Sequence, residues 1–99
     1  MEQNALIEQL LTLTLAIEHA ATLADWPEAA RLMEERSPLF ASLVREQDAA
    51  AMSKIDRIRA IDAAITANAK TTQTELQAEY HGAMRHVQAA SKYQQAARL

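Results

Sequence analysis

Apolar residues open the chain at Leu6, Leu10, Leu13, Ile17, Ala20 and Ala24, in alternating steps of four and three. That rhythm is the seam of an amphipathic helix, and Ile7, Leu11 and Leu15 widen it enough to face two neighbours. Asn4 is the expected N-cap, and Thr12, Thr14, Glu18 and Thr22 supply the polar side. A second segment carries two apolar ridges, one through Ala29, Leu32, Leu39 and Leu43, the next through Ala30, Met33, Phe40 and Val44. Arg36 falls in the first ridge, where its stem packs and its head reaches for an acid. Pro38 interrupts the segment, but the ridges stay in phase past it, which predicts a kinked helix rather than two helices. A third seam runs Ile55, Ile58, Ile61, Ile65, Ala69, Thr72, Leu76, Tyr80, Ala83, Val87 and Ala90, with Gly82 the one place where it could bend or fold back. Ser53, three residues before Asp56, is its expected N-cap.

These segments predict an all-α fold: an antiparallel three-helix bundle with a long third helix. The helices are expected near residues 4–24, 26–47 and 53–95, with more than about three quarters of the chain helical. The first corner is Asp25-Trp26-Pro27. Asp25 suits the N-cap of the second helix, and Pro27 its first turn, where a missing N–H costs nothing. Trp26 is expected to be largely buried over the end of the bundle, with its ring N–H on a carbonyl or water. The second turn is expected around residues 47–52. A third helix of about 40 residues would span roughly 60 Å, against about 30 Å for either partner. Its far part then needs cover, and Tyr80, Met84, Val87 and Tyr93 are the expected interface of a homodimer.

Composition agrees and closes off several functions. Gly occurs once, Pro twice and Cys not at all in 99 residues, so strand-type turns, a phosphate-cradling glycine loop and thiolate chemistry are all missing. One domain spans residues 1–99. No apolar run approaches the ~18–20 residues of a membrane span, and Met1-Glu2-Gln3-Asn4 has no basic region of a secretory signal, so a cytoplasmic protein is expected. Net charge is −3, with Glu2, Glu8, Glu18, Asp25 and Glu28 unopposed by any Lys or Arg in residues 1–30. The basic residues of the last segment are interleaved with acids, so no nucleic-acid stripe forms. His81 and His86 lie off the spacing that lets two ligands share a helix face, and no Glu-x-x-His pair exists. Glu75 and Glu79 read as solvated carboxylates. No catalytic residue, metal site or cofactor is expected.

Asp25-Trp26, then Leu32, Arg36, Leu39, Phe40 and Leu43, together with Ile61-Asp62, Ile65 and Ala89-Ala90-Ser91-Lys92-Tyr93, resemble the flagellar protein FliT family from about Leu6 to Tyr93. Pro38 departs from that family's uninterrupted second helix, and because the sequence stops soon after Tyr93 the further C-terminal helix that some members carry is not expected here. The resemblance implies a type III export chaperone. Such a protein covers the C-terminal helical segment of the flagellar filament-cap protein, brings it to the export ATPase complex, and in some members acts on the flagellar master transcription regulator. A structural helix bundle acting as a homodimeric module is the competing reading. The substrate helix is expected between helices two and three, against Phe40, Leu43, Val44, Ile58, Ile65, Leu76 and Tyr80, while Asp25, Trp26 and Arg36 hold the structure.

Overall fold

The structure, a computed structural model, describes residues 2–97, with side chains as far as Lys92. It is 87% helical. The helices are α1 (Gln3–Thr22), α2 (Trp26–Phe40) and α3 (Ala49–Ala97), and no strand occurs among the described residues. The chain divides into two compact units, Met1–Asn68 and Ala69–Leu99. The first holds α1, α2 and the opening of α3; the second is helix throughout its described residues.

In the first unit α2 runs antiparallel to α1, and α3 returns parallel to α1. Lys54 pairs with Glu8 near one end, and Asn68 donates to the Ala21 carbonyl at 3.5 Å near the other. Two apolar clusters form the core. Leu6, Leu10, Leu11 and Ile58 make one, with Leu15, Leu39 and Leu43 against them; Ile17, Ala20, Ala21, Ala29, Leu32 and Ile65 make the other, with Leu13, Trp26 and Ile61 alongside. Among the described side chains of α3 the buried residues are Ala51, Ile58 and Ile65, one every seven, the repeat of a helix that keeps one edge on its neighbour.

The α1 seam is shifted from its sequence reading. Thr14, expected on the polar side, is fully buried, while Leu13 is only half-buried and Ala24 is exposed. Burying a hydroxyl is tolerated because Thr14 Oγ1 donates to the Leu10 carbonyl at 2.7 Å and accepts a second bond across the bundle.

The caps are also displaced. Glu2, not Asn4, caps α1, its carboxylate accepting the Asn4 and Ala5 N–H groups at 2.9 and 3.1 Å. Asp48, not Ser53, opens α3: its side chain accepts the Ala51 N–H at 2.8 Å, leaving Ser53 a turn inside. Both are carboxylates at the positive end of a helix, which adds charge complementarity to capping.

The first corner forms as expected, with a detail the sequence hides. Asp25 accepts the Glu28 N–H at 3.3 Å and Pro27 occupies the first turn of α2. The Ala24 N–H donates to Ala21 O and the Asp25 N–H to Ala20 O, at 3.0 and 2.8 Å, a Schellman end to α1. That end requires a left-handed residue, and Ala24 takes it at φ 57° where glycine is usual. Trp26 is half-buried rather than largely buried. Its Nε1 is out of solvent without a hydrogen-bond acceptor, contrary to expectation, because the ring lies against the apolar cluster.

Helix α2 stops at Phe40 instead of reaching residue 47. Pro38 cannot donate to the carbonyl one turn back, and four and five residues after it the chain tightens to i→i−3 bonds, Ser42 to Leu39 at 3.1 Å and Leu43 to Phe40 at 3.2 Å. Residues 41–48 are therefore a loop. Gln3 fastens it to the start of α1: its Nε2 donates to Ser42 O at 3.2 Å, while its Oε1 accepts from the Val44 N–H and the Gln47 amide at 3.2 and 3.0 Å. Helix α3 continues through Gly82, so no fold-back occurs there.

Candidate functional site

The loop that replaces the end of α2 opens a groove in the first unit. Leu10 of α1 and Ile58 of α3 form its floor, Phe40, Leu43 and Ile55 its apolar walls, and Arg59 and Asp62 its rim. Its volume is about 150 Å³. A cavity of roughly that size accommodates a benzene molecule, so one Leu or Phe side chain fits. Phe40 stays 37% exposed although Leu10 and Ile58 beneath it are shut off from water, so the wall can be contacted from outside.

Arg36 holds that wall. It is one of two buried polar residues among the described ones, and its Nη1 donates at 2.8 Å to both Thr14 Oγ1 on α1 and Asp62 Oδ1 on α3. Its guanidinium carbon also lies 4.9 Å from the centre of the Phe40 ring. One side chain thus ties three helices and fixes two residues of the groove, Phe40 and Asp62. Arg36 Nε is buried without a partner, which limits the net stabilisation. Asp62 keeps 34% of its side chain in water, so this pair is less costly to desolvate than a fully buried one.

The residues expected to bind a partner fall in three places. Phe40, Leu43 and Ile58 line the groove together. Ile65 lies in the other core cluster, 5% exposed, and Val44 is 52% exposed on the loop, its N–H held by Gln3. Leu76 and Tyr80 belong to the second unit, where they are 60% and 63% exposed, and Met84 and Val87 are exposed with them. The Tyr93 side chain lies outside the described residues. Asp25, Trp26 and Arg36, read as structural, sit at the corner and in the core.

Sequence reasoning missed Leu10 as a groove residue, Arg59 on the rim and Gln3 as the fastener of the loop. The only available signal was for Thr14, which sits four after Leu10 and three before Ile17, on the seam itself.

A shallower hollow of about 210 Å³ opens beside Ile65, bounded by Glu18, Thr22 and Asn68. On the exposed face of α2, the bond from Arg31 holds the Glu28 carboxyl below its ordinary range, and Glu28 raises the Arg31 guanidinium in turn. Among the described residues no three His, Asp or Glu side chains gather as a metal site, and no helix is long and apolar enough to cross a membrane.

The model of the family described as flagellar protein FliT matches residues 4–95. No curated protein and no solved structure matches the chain. That match spans the corner, the Arg36 tie and the groove, and it supports a role as a flagellar export chaperone that binds export partners. The chain belongs to the FliT family, a family of chaperones and not a known family of enzymes.

Proposed function

We propose that the chain is a single chaperone domain of the cytoplasm that covers the C-terminal helical segment of the flagellar filament-cap protein before export. The observation that carries this reading is the open apolar groove, whose floor is dry core and whose Phe40 wall stands 37% exposed. An amphipathic helix laid on such a groove inserts one anchor and spreads its apolar stripe over the edges. Phe40, Leu43 and Ile58 receive the anchor, Val44 lies beside them on the loop, and Ile65 supports α3 from the core. Leu76 and Tyr80 offer the same segment a separate apolar surface in the second unit. Delivery to the export ATPase complex follows from the same role. Action on the flagellar master transcription regulator is a further proposal, tested by reporter expression with and without the chain.

Calorimetry with a peptide of the cap protein's C-terminal segment tests the reading. Phe40→Asp, checked by circular dichroism for folding, is expected to weaken binding tenfold or more, since a buried anchor contributes ~2 kcal/mol. Leu76→Asp and Tyr80→Asp report on the second surface. Folded variants that all bind as tightly as the parent would remove the groove and the stripe from the assignment.

A further inference from the structure

Helices carry most of the groove's apolar lining: Leu10 stands on α1, Phe40 on α2, Ile55 and Ile58 on α3. Leu43 stands on the loop after α2. A helix holds its side chains in place through its own hydrogen-bond ladder, and a loop residue needs some other source of order. For Leu43 that source is a side chain at the start of α1.

The Gln3 carboxamide makes two bonds to the chain around Leu43. Its Nε2 donates to Ser42 O and its Oε1 accepts the Val44 N–H, each at 3.2 Å. The Ser42 carbonyl belongs to the peptide group before Leu43, and the Val44 N–H to the one after. Peptide groups are planar, so holding both of them fixes the two backbone dihedrals of Leu43 between them. Gln47 sets the direction of the bracket: its Nε2 donates to Gln3 Oε1 and to Val44 O, both at 3.0 Å. With the Gln3 amide turned over, its NH₂ would face two donors and its oxygen the Ser42 carbonyl, so the network admits one orientation.

We propose that Gln3 is a positioning residue of the groove: its carboxamide sets the backbone of Leu43, and with it the wall that a partner's apolar anchor meets. Leu43 packs on the cluster of Leu6, Leu10, Leu11 and Ile58, and its N–H donates to Phe40 O at 3.2 Å. The bracket therefore abuts the exposed Phe40 wall as well. A wall already ordered in the free protein spares the partner the cost of ordering it on binding. The chemistry asks for a primary amide at this reach. Glu keeps the acceptor and loses the donor, and Met keeps the length and loses both. The effect on a partner rests on the chaperone reading; the bracket itself does not.

The test uses the full chain with Gln3→Met. In the free protein the Val44 N–H should exchange with solvent about fivefold faster than in the parent, the ratio one net hydrogen bond supplies. Unchanged exchange would overturn the bracket. Calorimetry with the peptide of the cap protein's C-terminal segment should show binding about fivefold weaker, at unchanged helix content by circular dichroism. Gln3→Glu should also bind more weakly than the parent, and parental affinity there would overturn the two-sided grip. A double-mutant cycle separates positioning from general loosening: once Leu43→Ala is in place, adding Gln3→Met should weaken binding little further. An equal loss in both backgrounds would overturn the action through Leu43. A parent that fails to bind the peptide, while Gln3→Met still speeds exchange at Val44, would remove the chaperone reading and leave the bracket standing.

Discussion

The two units carry the same kind of sequence and reach opposite ends. Up to Asn68, α3 presents Ala51, Ile58 and Ile65 at seven-residue spacing and each is 5% exposed or less. Beyond it the seam continues without a break in period, yet Leu76, Tyr80 and Val87 stand in water. Periodicity therefore says which face of a helix is apolar and nothing about whether that face is covered. Cover within the first unit comes from α1 and α2, whose seam residues interlock there with Ile58, Ile61 and Ile65 of α3.

The largest test of this contrast compares equal truncations. Leu10→Ala, at a site 0% exposed, should destabilise by ~3–4 kcal/mol in urea unfolding, whereas Leu76→Ala should change stability by less than ~0.5 kcal/mol. Equal losses would mean that the second unit is covered in the isolated chain. Next in size is Arg36→Ala, expected to cost about 2–3 kcal/mol, since it leaves Thr14 and the half-buried Asp62 without their shared donor. Arg36→Met should cost less, because it keeps the packed stem.

Ala24→Gly should move stability the other way, by about 1 kcal/mol in thermal or urea unfolding, because glycine takes the left-handed position without strain. No gain would show that the α1–α2 corner relaxes around Ala24. The smallest effect belongs to Glu28. Its folded carboxyl titrates below its ordinary value, so any stabilisation is present above that value and lost as pH falls through the lower, folded one. Glu28→Gln should flatten only that acid limb, and because both partners are exposed the change should be slight.

The candidate site was partly legible. Phe40, Leu43 and Ile58 could be picked as apolar residues on the second and third segments, and the structure does gather them around one groove. Leu10 and Arg59 could not, since nothing in their own neighbourhoods distinguishes them from other seam and surface residues. Ile65 looked the same as Ile58 in sequence but fell into the other cluster, because Ala20, Ala21 and Ala29 leave room there for α1, α2 and α3 to close tightly.

What the sequence determined by itself was local. Spacing fixed three helices and their apolar faces, and Asp25 with Pro27 fixed the start of α2, because capping and first-turn geometry involve residues within one turn of each other. What only the tertiary structure decided involves partners far apart in the chain. Thr14 is buried because Arg36 of α2 bonds it, and Arg36 is held in turn by Asp62 of α3. Helix α2 ends at Phe40, and not seven residues later, because Pro38 weakens it and Gln3, some forty residues earlier, satisfies the backbone of the loop that follows. A buried hydroxyl, an orphaned helix end or an apolar stripe is favourable or costly only according to what lies opposite it. Spacing along one chain segment carries no information about that opposite partner.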